Sequence, residues 1–561
     1  MAQQLYFSRD TRMFIQFRNS AANTETPAQL GAGSLWEVPI LDGYSFSQTT
    51  NTSEITLSEM ESSAGISRRG RRMFTDSLAP AEWSFSTYVR PFLSKINTGG
   101  GLPAGNVAAD TAAETHAVEE VLWAAMFGAD TYSSSSFTRT VSPVSGPVIS
   151  PGNAATGSVI KLTESNRSAM TAFTIFFLID TATSNPLVYR MPEAVVNEVS
   201  VDFDVDGIAT LNWTGMAKEI QDVSGTVIIG TSAPAHNATG ALGRKDGKAI
   251  ALGDVFIDTD NVAGRQFNLV STVPGSGNVS LTAAIDEGTT STKNFIRNRL
   301  TSVVIEAADA TDKIPSIFPG NHDVITTLDD NTDDIITVTG HGFTTGDRCF
   351  ITGCTGVTSL NGTHNFVRSV DANSLTLHAT AAEAVGNTGI IAVDADGVYD
   401  DNSGTISNGK YSLTLTGGNF NIANNITYLV PEELGAINKP LEHVTGSRNS
   451  GGTATCYLAL EDGDLTNGTS RQFFNDLTSI GAMGKVVNKF KVDMHIGGSA
   501  ATANAIDPAL LIKFPTAHIE VPSHNIDDVI SLETTFSALP TDFGTANEVE
   551  EVRYFAVGDY S

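Results

Sequence analysis

Short runs in which apolar and polar residues alternate recur along the chain, set between clusters of Gly, Asn, Asp and Ser. Residues 36–40 (WEVPI), 43–48 (GYSFSQ) and 53–57 (SEITL) open the series, and residues 82–89 (EWSFSTYV) continue it. A period of two turns one face of each run towards a core, as in a half-buried strand. Polar turn residues between such runs punctuate short strands. Residues 171–179 (TAFTIFFLI) are the longest apolar stretch, and after an Asn185-Pro186 turn residues 187–217 carry two or three further strands. One segment breaks the pattern. In residues 116–127 (HAVEEVLWAAMF), Val118, Val121, Leu122, Ala125 and Met126 fall on one helical face, with Glu119 and Glu120 in the early turns. The spacing predicts a helix there, with its carboxylates where the macrodipole favours them.

The same order then returns. Residues 418–428 (GNFNIANNITY) stand where the early strands stood, residues 453–460 (TATCYLAL) echo 83–89, a short helix over 471–477 replaces 116–127, and residues 489–496 parallel 172–179. The closest echo comes last: residues 189–197 (YRMPEAVVN) and 512–520 (IKFPTAHIE) share a cation, an apolar residue, Pro and an alternating strand. A further strand follows each, at 207–213 and 529–536. Weak matches in one order indicate an internal duplication. Residues 304–411 differ, with short strands joined by Asn-Gly and Gly-Asp turns. They predict a small β-barrel inserted into a hairpin whose strands, 300–306 and 411–416, pair across it. The expected fold class is mainly β: two tandem sandwich or barrel domains, each with a flanking helix, plus the inserted barrel. The first domain spans 1–223, a linking segment 224–293, the second domain 294–309 with 409–561, and the insert 310–408.

Composition narrows the function. The 561 residues suit two or three domains. A net charge of −29, from 62 acidic and 33 basic residues, leaves no excess of cations to wrap a phosphate backbone. It is compatible with a like-charged wall past which DNA slides. Three cysteines make no disulfide framework. Cys349 and Cys354 lie near His341 and His364, but a C-x4-C spacing matches no common zinc knuckle. Residues 202–207 (DFDVDG) mimic the start of a calcium loop, yet Trp213 stands where the bidentate Glu is needed. Gly-rich residues 98–105 lack a phosphate-binding spacing, and no nucleophile elbow, Walker loop, HExxH or zinc ribbon occurs. No catalytic residue, cofactor or metal is therefore expected. The N-terminus has no apolar h-region and no stretch approaches a bilayer span, so a protein made in the cytosol without membrane binding is expected. Arg68, Arg69, Arg71 and Arg72 form a basic cluster in this acidic chain. It is either a solvated loop or an inter-subunit contact in which guanidiniums meet a neighbour's carboxylates.

Residues 36–60 (WEVPILDGYSFSQTTNTSEITLSEM), 67–92 (SRRGRRMFTDSLAPAEWSFSTYVRPF) and 116–127 closely resemble the major tail tube proteins of T4-like phages, particularly those of marine cyanobacterial myoviruses. The likeness covers about residues 5–130 and continues more weakly to Ala217, and residues 418–460 look like a variant of the same domain. Residues 322–396 resemble a small β-barrel that recurs in phage tail proteins, similar to a structural module of ubiquitin-activating enzymes. The resemblance implies sheets that join edge to edge in a ring, and stacked rings that form a hollow tube for genome DNA. It implies a virion protein assembled in the host cytoplasm, whose partners are itself, a tail sheath, the baseplate and a tail terminator, in a contractile tail. A duplicated domain implies three chains closing a pseudo-sixfold ring, with a six-chain ring as the rival. By the same analogy the loop 59–79 projects towards a neighbour, which makes Arg68, Arg69, Arg71 and Arg72 inter-subunit residues. A carbohydrate-binding tail or capsid decoration protein is the alternative, but it needs exposed aromatic platforms, and aromatics here are 8% and mostly alternate inward. A tail-associated hydrolase would need a carboxylate pair in a cleft.

Overall fold

A computed structural model describes the chain apart from residues 56–71, 94–113, 308–322, 394–403, 459–469, 479–489 and 498–507 and several shorter stretches. Those are 1–5, 23–24, 134–135, 142–144, 153–156, 164–169, 180–185, 204–206, 231, 234–236, 239–241, 260–265, 274–278, 287–294, 330–333, 342, 344, 347, 353, 355–359, 361–362, 408–409, 432–437, 472, 475–476, 527–528, 540–547 and 556–561. The protein is mainly β, with several sheets and short helices.

In the first half, seven strands lie side by side, each antiparallel to its neighbours: Ser34–Val38, Thr11–Phe17, Phe173–Ile179, Leu187–Phe203, Thr210–Ala217, Ala81–Tyr88 and Ser45–Ser47. Ala81–Tyr88 and Thr210–Ala217 bury every second residue, as their alternating sequence requires. Thr11–Phe17 and Phe173–Ile179 bury nearly every residue, because layers cover both their faces. That is why residues 171–179 read as a continuous apolar run.

The second half repeats this order. Ser302–Ala307, Phe490–Gly497, Ala509–Ile519, Ile530–Ala538 and Asn449–Tyr457 follow one another, and the long strand Lys410–Ala423 flanks the set at both ends. Its first part pairs with Ser302–Ala307, with Ser302 opposite Thr414, and its second part pairs with Asn449–Tyr457. Register irregularities recur as well. Ile175 faces Met191 but Phe173 faces Ala194; Val492 faces Phe514 but Phe490 faces Ala517. In each case two residues, Pro192-Glu193 and Pro515-Thr516, oppose a single one, Thr174 and Lys491. Proline gives the ladder no N–H, so inside a strand it belongs at such a bulge, and Glu193 takes a left-handed φ of 53°.

Within residues 224–293, expected to connect the halves, the described strands form a layer of their own. Ile228–Gly230, Val255–Asp258, Gln266–Thr272 and Val279–Asp286 form a sheet whose last strand runs parallel to Ser34–Val38. Ile257, Phe267 and Leu269 pack on Phe14, Phe176 and Val188, with the Phe14 and Phe267 rings stacked 4.2 Å apart. Between Ala307 and Lys410, six strands close a separate barrel in the order Asp323–Asp329, Ile335–Val338, Ser374–His378, Thr363–Asp371, Arg348–Thr352 and Gly404–Ser407. Ile336, Val338, Cys349, Ile351, Val367 and Leu375 are among the residues of its core.

The helix is shorter than its periodicity predicts. It runs Glu120–Met126 and is buried on all sides, while Thr115–Ala117 is a strand paired with Pro91–Leu93. His116 Nδ1 lies 3.2 Å from the Glu120 carboxylate, which also accepts from the Ala117 N–H at 3.5 Å. Those local contacts hold residues 116–117 extended. Trp123 meets Trp213 edge-on, with centroids 5.1 Å apart, so the helix plugs the first core. Of the expected 471–477 helix, residues 471, 473, 474 and 477 are described as helical, and Phe473 and Leu477 join the large shared core.

Candidate assembly interface

The two halves join through their sheets. Leu187–Phe203 outlasts its partner Phe173–Ile179, and its far end, residues 198–203, pairs antiparallel with residues 418–423 of Lys410–Ala423. Val199 and Val201 face Ile422 and Phe420, and all four are fully buried. Asn424 anchors the end of this ladder: its N–H donates to the Asn197 carbonyl at 2.7 Å and its Nδ2 to the Val196 carbonyl at 3.2 Å. A second seam pairs Ser158–Thr163 with Glu548–Phe555, Ile160 opposite Val552.

Beside the first seam, a hairpin of the second half lies on the first half. It consists of Thr427–Leu429 and Glu442–Val444. Tyr428 is buried with Met170, Ala172 and Val195, and its hydroxyl donates to the Glu193 carbonyl. The αL turn at Asn425, with φ 50°, directs the chain from the ladder into this hairpin. Arg448 donates from Nε to Asn424 Oδ1 at 2.7 Å and from Nη2 to the Met126 carbonyl at 3.3 Å, and lies 5.5 Å from the Phe127 ring centroid.

Under the hairpin sits a set of charged groups. Buried Arg18 donates to the Ala172 carbonyl at 2.8 Å, Lys218 pairs with Glu193 at 3.2 Å, and Arg190 pairs with Glu25. Burial lowers Arg18 to about 10, against the opposing pull of Glu193. Burial also pushes the Tyr428 phenol up and the His443 imidazole down. Desolvation is the leading cause for each of the three.

Arg68, Arg69 and Arg71 lie outside the described residues, and Arg72 opens the strand Arg72–Leu78, which pairs with Thr50–Ile55. That hairpin, at the place of the expected loop 59–79, leaves Met73 58% and Phe74 56% exposed. The residues that join the halves, Asn197, Asn424, Tyr428 and Arg448, carry no sequence motif; the doubled Asn424-Asn425 between two strands was their one local sign. Cys349 and Cys354 are buried thiols of the barrel. His341 Nε2 lies 2.9 Å from the Asp371 carbonyl, and its Nδ1 accepts from the Phe343 N–H at 3.0 Å. Residues 204–206 of the calcium-like run lie outside the described residues. No helix among the described residues is long and apolar enough to cross a membrane.

The sheets thus extend edge to edge from one half of the chain into a like-ordered second half. No family model matches the chain. Over 142 residues it is 32% identical to Tail tube protein pb6 of Escherichia phage T5, a stretch covering 25% of this chain and 28% of that protein. The chain is thus a partial relative of a phage tail tube protein. The match supports the tail tube resemblance but not the T4-like myovirus type expected from the sequence.

Proposed function

We propose that this protein is a structural subunit of a phage tail tube, forming rings that stack into a conduit for genome DNA. The observation that carries this reading is the in-chain seam between residues 198–203 and 418–423: one unit's sheet is continued by the next, and repetition of such a join closes a ring without a bare edge. The pb6 match supports the same role. The tube units are 1–223 and 294–309 with 409–561; residues 224–293 link them as a covering layer, and the barrel 310–408 decorates the outer surface. Three chains then supply six units per ring. Baseplate and tail terminator proteins meet the ends of such a tube, while a sheath and contraction draw no support from a T5 relative. The net charge of −29 keeps DNA mobile in the lumen; a lumen lined by Lys and Arg would contradict that clause.

Negative-stain microscopy of the purified protein tests the reading. Hollow tubes or annular particles are the expected result. Glycan-array binding without tubes would favour the carbohydrate-binding decoration protein.

A further inference from the structure

The in-chain seam has an unjoined counterpart at each end of the molecule. The bulge registers place Ala194 with Ala517 and Met191 with Phe514. Continuing along both strands, Ser200 corresponds to Ser523: Ser200 faces Asn212 of the next strand, and Ser523 faces Glu533 of its next strand, each just beyond a second register shift. On the other side, Phe420 faces Gly452 as Phe46 faces Trp83, so residues 44–49 correspond to residues 418–423. Both match in texture, Ser-Phe-Ser against Asn-Phe-Asn.

Their surroundings differ. Val201 is buried beneath the second half, whereas its counterpart His524 is exposed, as are Val521 at 58% and Ile526 at 77%; Pro522, the counterpart of Val199, is buried within its own chain. Among the described residues, Ser523–Ile526 pairs with Ile530–Ala538 alone, and Ser45–Ser47 with Ala81–Tyr88 alone. Among the described residues, the outer side of each carries no strand. The hairpins that flank these edges follow suit. Thr427–Leu429 with Glu442–Val444 is seated on the first half, while its counterpart, Thr50–Ile55 with Arg72–Leu78, holds Met73 and Phe74 out to solvent.

We infer that the edge at residues 521–526 pairs antiparallel with residues 44–49 of a second copy of this chain, in the register of the in-chain seam. Ser523 then faces Ser47, His524 faces Phe46 and Asn525 faces Ser45. The hairpin Thr50–Ile55 with Arg72–Leu78 lies on that second copy, as Tyr428 lies on the first half. Pro522 takes the place of Val199 and brings no N–H, so this ladder has one bond fewer. An edge proline also guards the free chain against indiscriminate pairing. The inference rests on the ring-forming reading for its partner, and on the strand correspondence alone for its register.

Cysteine pairs test it. In the in-chain seam, the Asn424-to-Asn197 hydrogen bond makes Ser200 and Asn421 a close, non-hydrogen-bonded pair. Ser523 and Ser47 take the same phase, which suits a disulfide, and the native cysteines are all buried. Full-length Ser47→Cys/Ser523→Cys should, on mild oxidation of assembled protein, give reducible multimers on a denaturing gel. The control Ser200→Cys/Asn421→Cys should close within one chain. A mixture of Ser45→Cys chains and Asn525→Cys chains should give dimers only, and decides the matter should the double variant misfold. Rings that form by microscopy while Ser47→Cys/Ser523→Cys and the mixture stay reduced, with the control closing, would overturn this seam and leave the tube reading standing. Wild-type protein that forms neither rings nor cross-linkable contacts would overturn both.

Discussion

Trp83 and Gly215 face each other across neighbouring strands of the first half, and at the corresponding place in the second half Gly452 faces Phe536. The large and small members have changed sides, yet each pair fills one slot in a core layer. A Cβ on Gly215 would collide with the Trp83 ring and the Val195 carbonyl. Gly215→Ala should therefore cost about 1–3 kcal/mol, the range for overpacking a tight core, read as a lowered Tm. Gly215→Phe alone should cost more than Gly215→Phe combined with Trp83→Gly, which recreates the pair of the second half. Equal losses would show that the slot is not shared.

His443 gives a pH dependence at the same scale. Burial depresses its pKa below 6.5, with Arg18 adding to the shift and Glu442 and Glu193 opposing it. The unfolded chain thus takes up a proton more readily than the folded one. Stability is complete above 6.5 and is lost as pH falls below it. Half-buried His495 shifts in the same direction through desolvation, opposed by Asp493 and reinforced by Lys513 and Lys491. Thermal melts at about pH 7.5 and about pH 5 should differ accordingly, and His443→Gln should flatten part of that slope. An unchanged slope would place the acid sensitivity elsewhere.

Among the elements, the hairpin Thr50–Ile55 with Arg72–Leu78 is the one that the proposed assembly puts to the test. Arg68, Arg69 and Arg71 fall in the sequence between its two strands, outside the described residues, and Arg72 begins its return strand. Reversing these four charges should weaken polymerisation in sedimentation while circular dichroism shows folded chains. Undiminished tube yield would leave the cluster a solvated loop. Half-buried strands were legible in the sequence because alternation reports one covered face, as in Ala81–Tyr88. Strands covered on both faces, such as Phe173–Ile179, read only as apolar. The helix lost its first turn to a strand because His116 and Glu120 satisfy each other locally, which hydrophobic spacing cannot register. Strands within 224–293 were compatible with its Gly-, Ala-, Ser- and Thr-rich sequence, but their packing on Phe14 and Phe176 depends on residues far away in sequence and was not legible. The in-chain seam was least legible of all. Backbone ladders need no particular side chain, and Asn197 and Asn424 are common turn residues elsewhere.

At the scale of the molecule, in the proposed ring of three chains and six units, two units in one chain would make half of the joins covalently guaranteed neighbours. The in-chain seam forms at an effective concentration set by the connecting chain, so only the joins between chains depend on protein concentration. Dilution should dissociate rings into folded single chains, never into separate halves. The mass of the annular particle decides how many chains close a ring. Native mass spectrometry, paired with top views by electron microscopy, should give three times the 59.1 kDa of one chain and a six-lobed outline. Six chains per ring, or three lobes from three chains, would contradict the proposed ring.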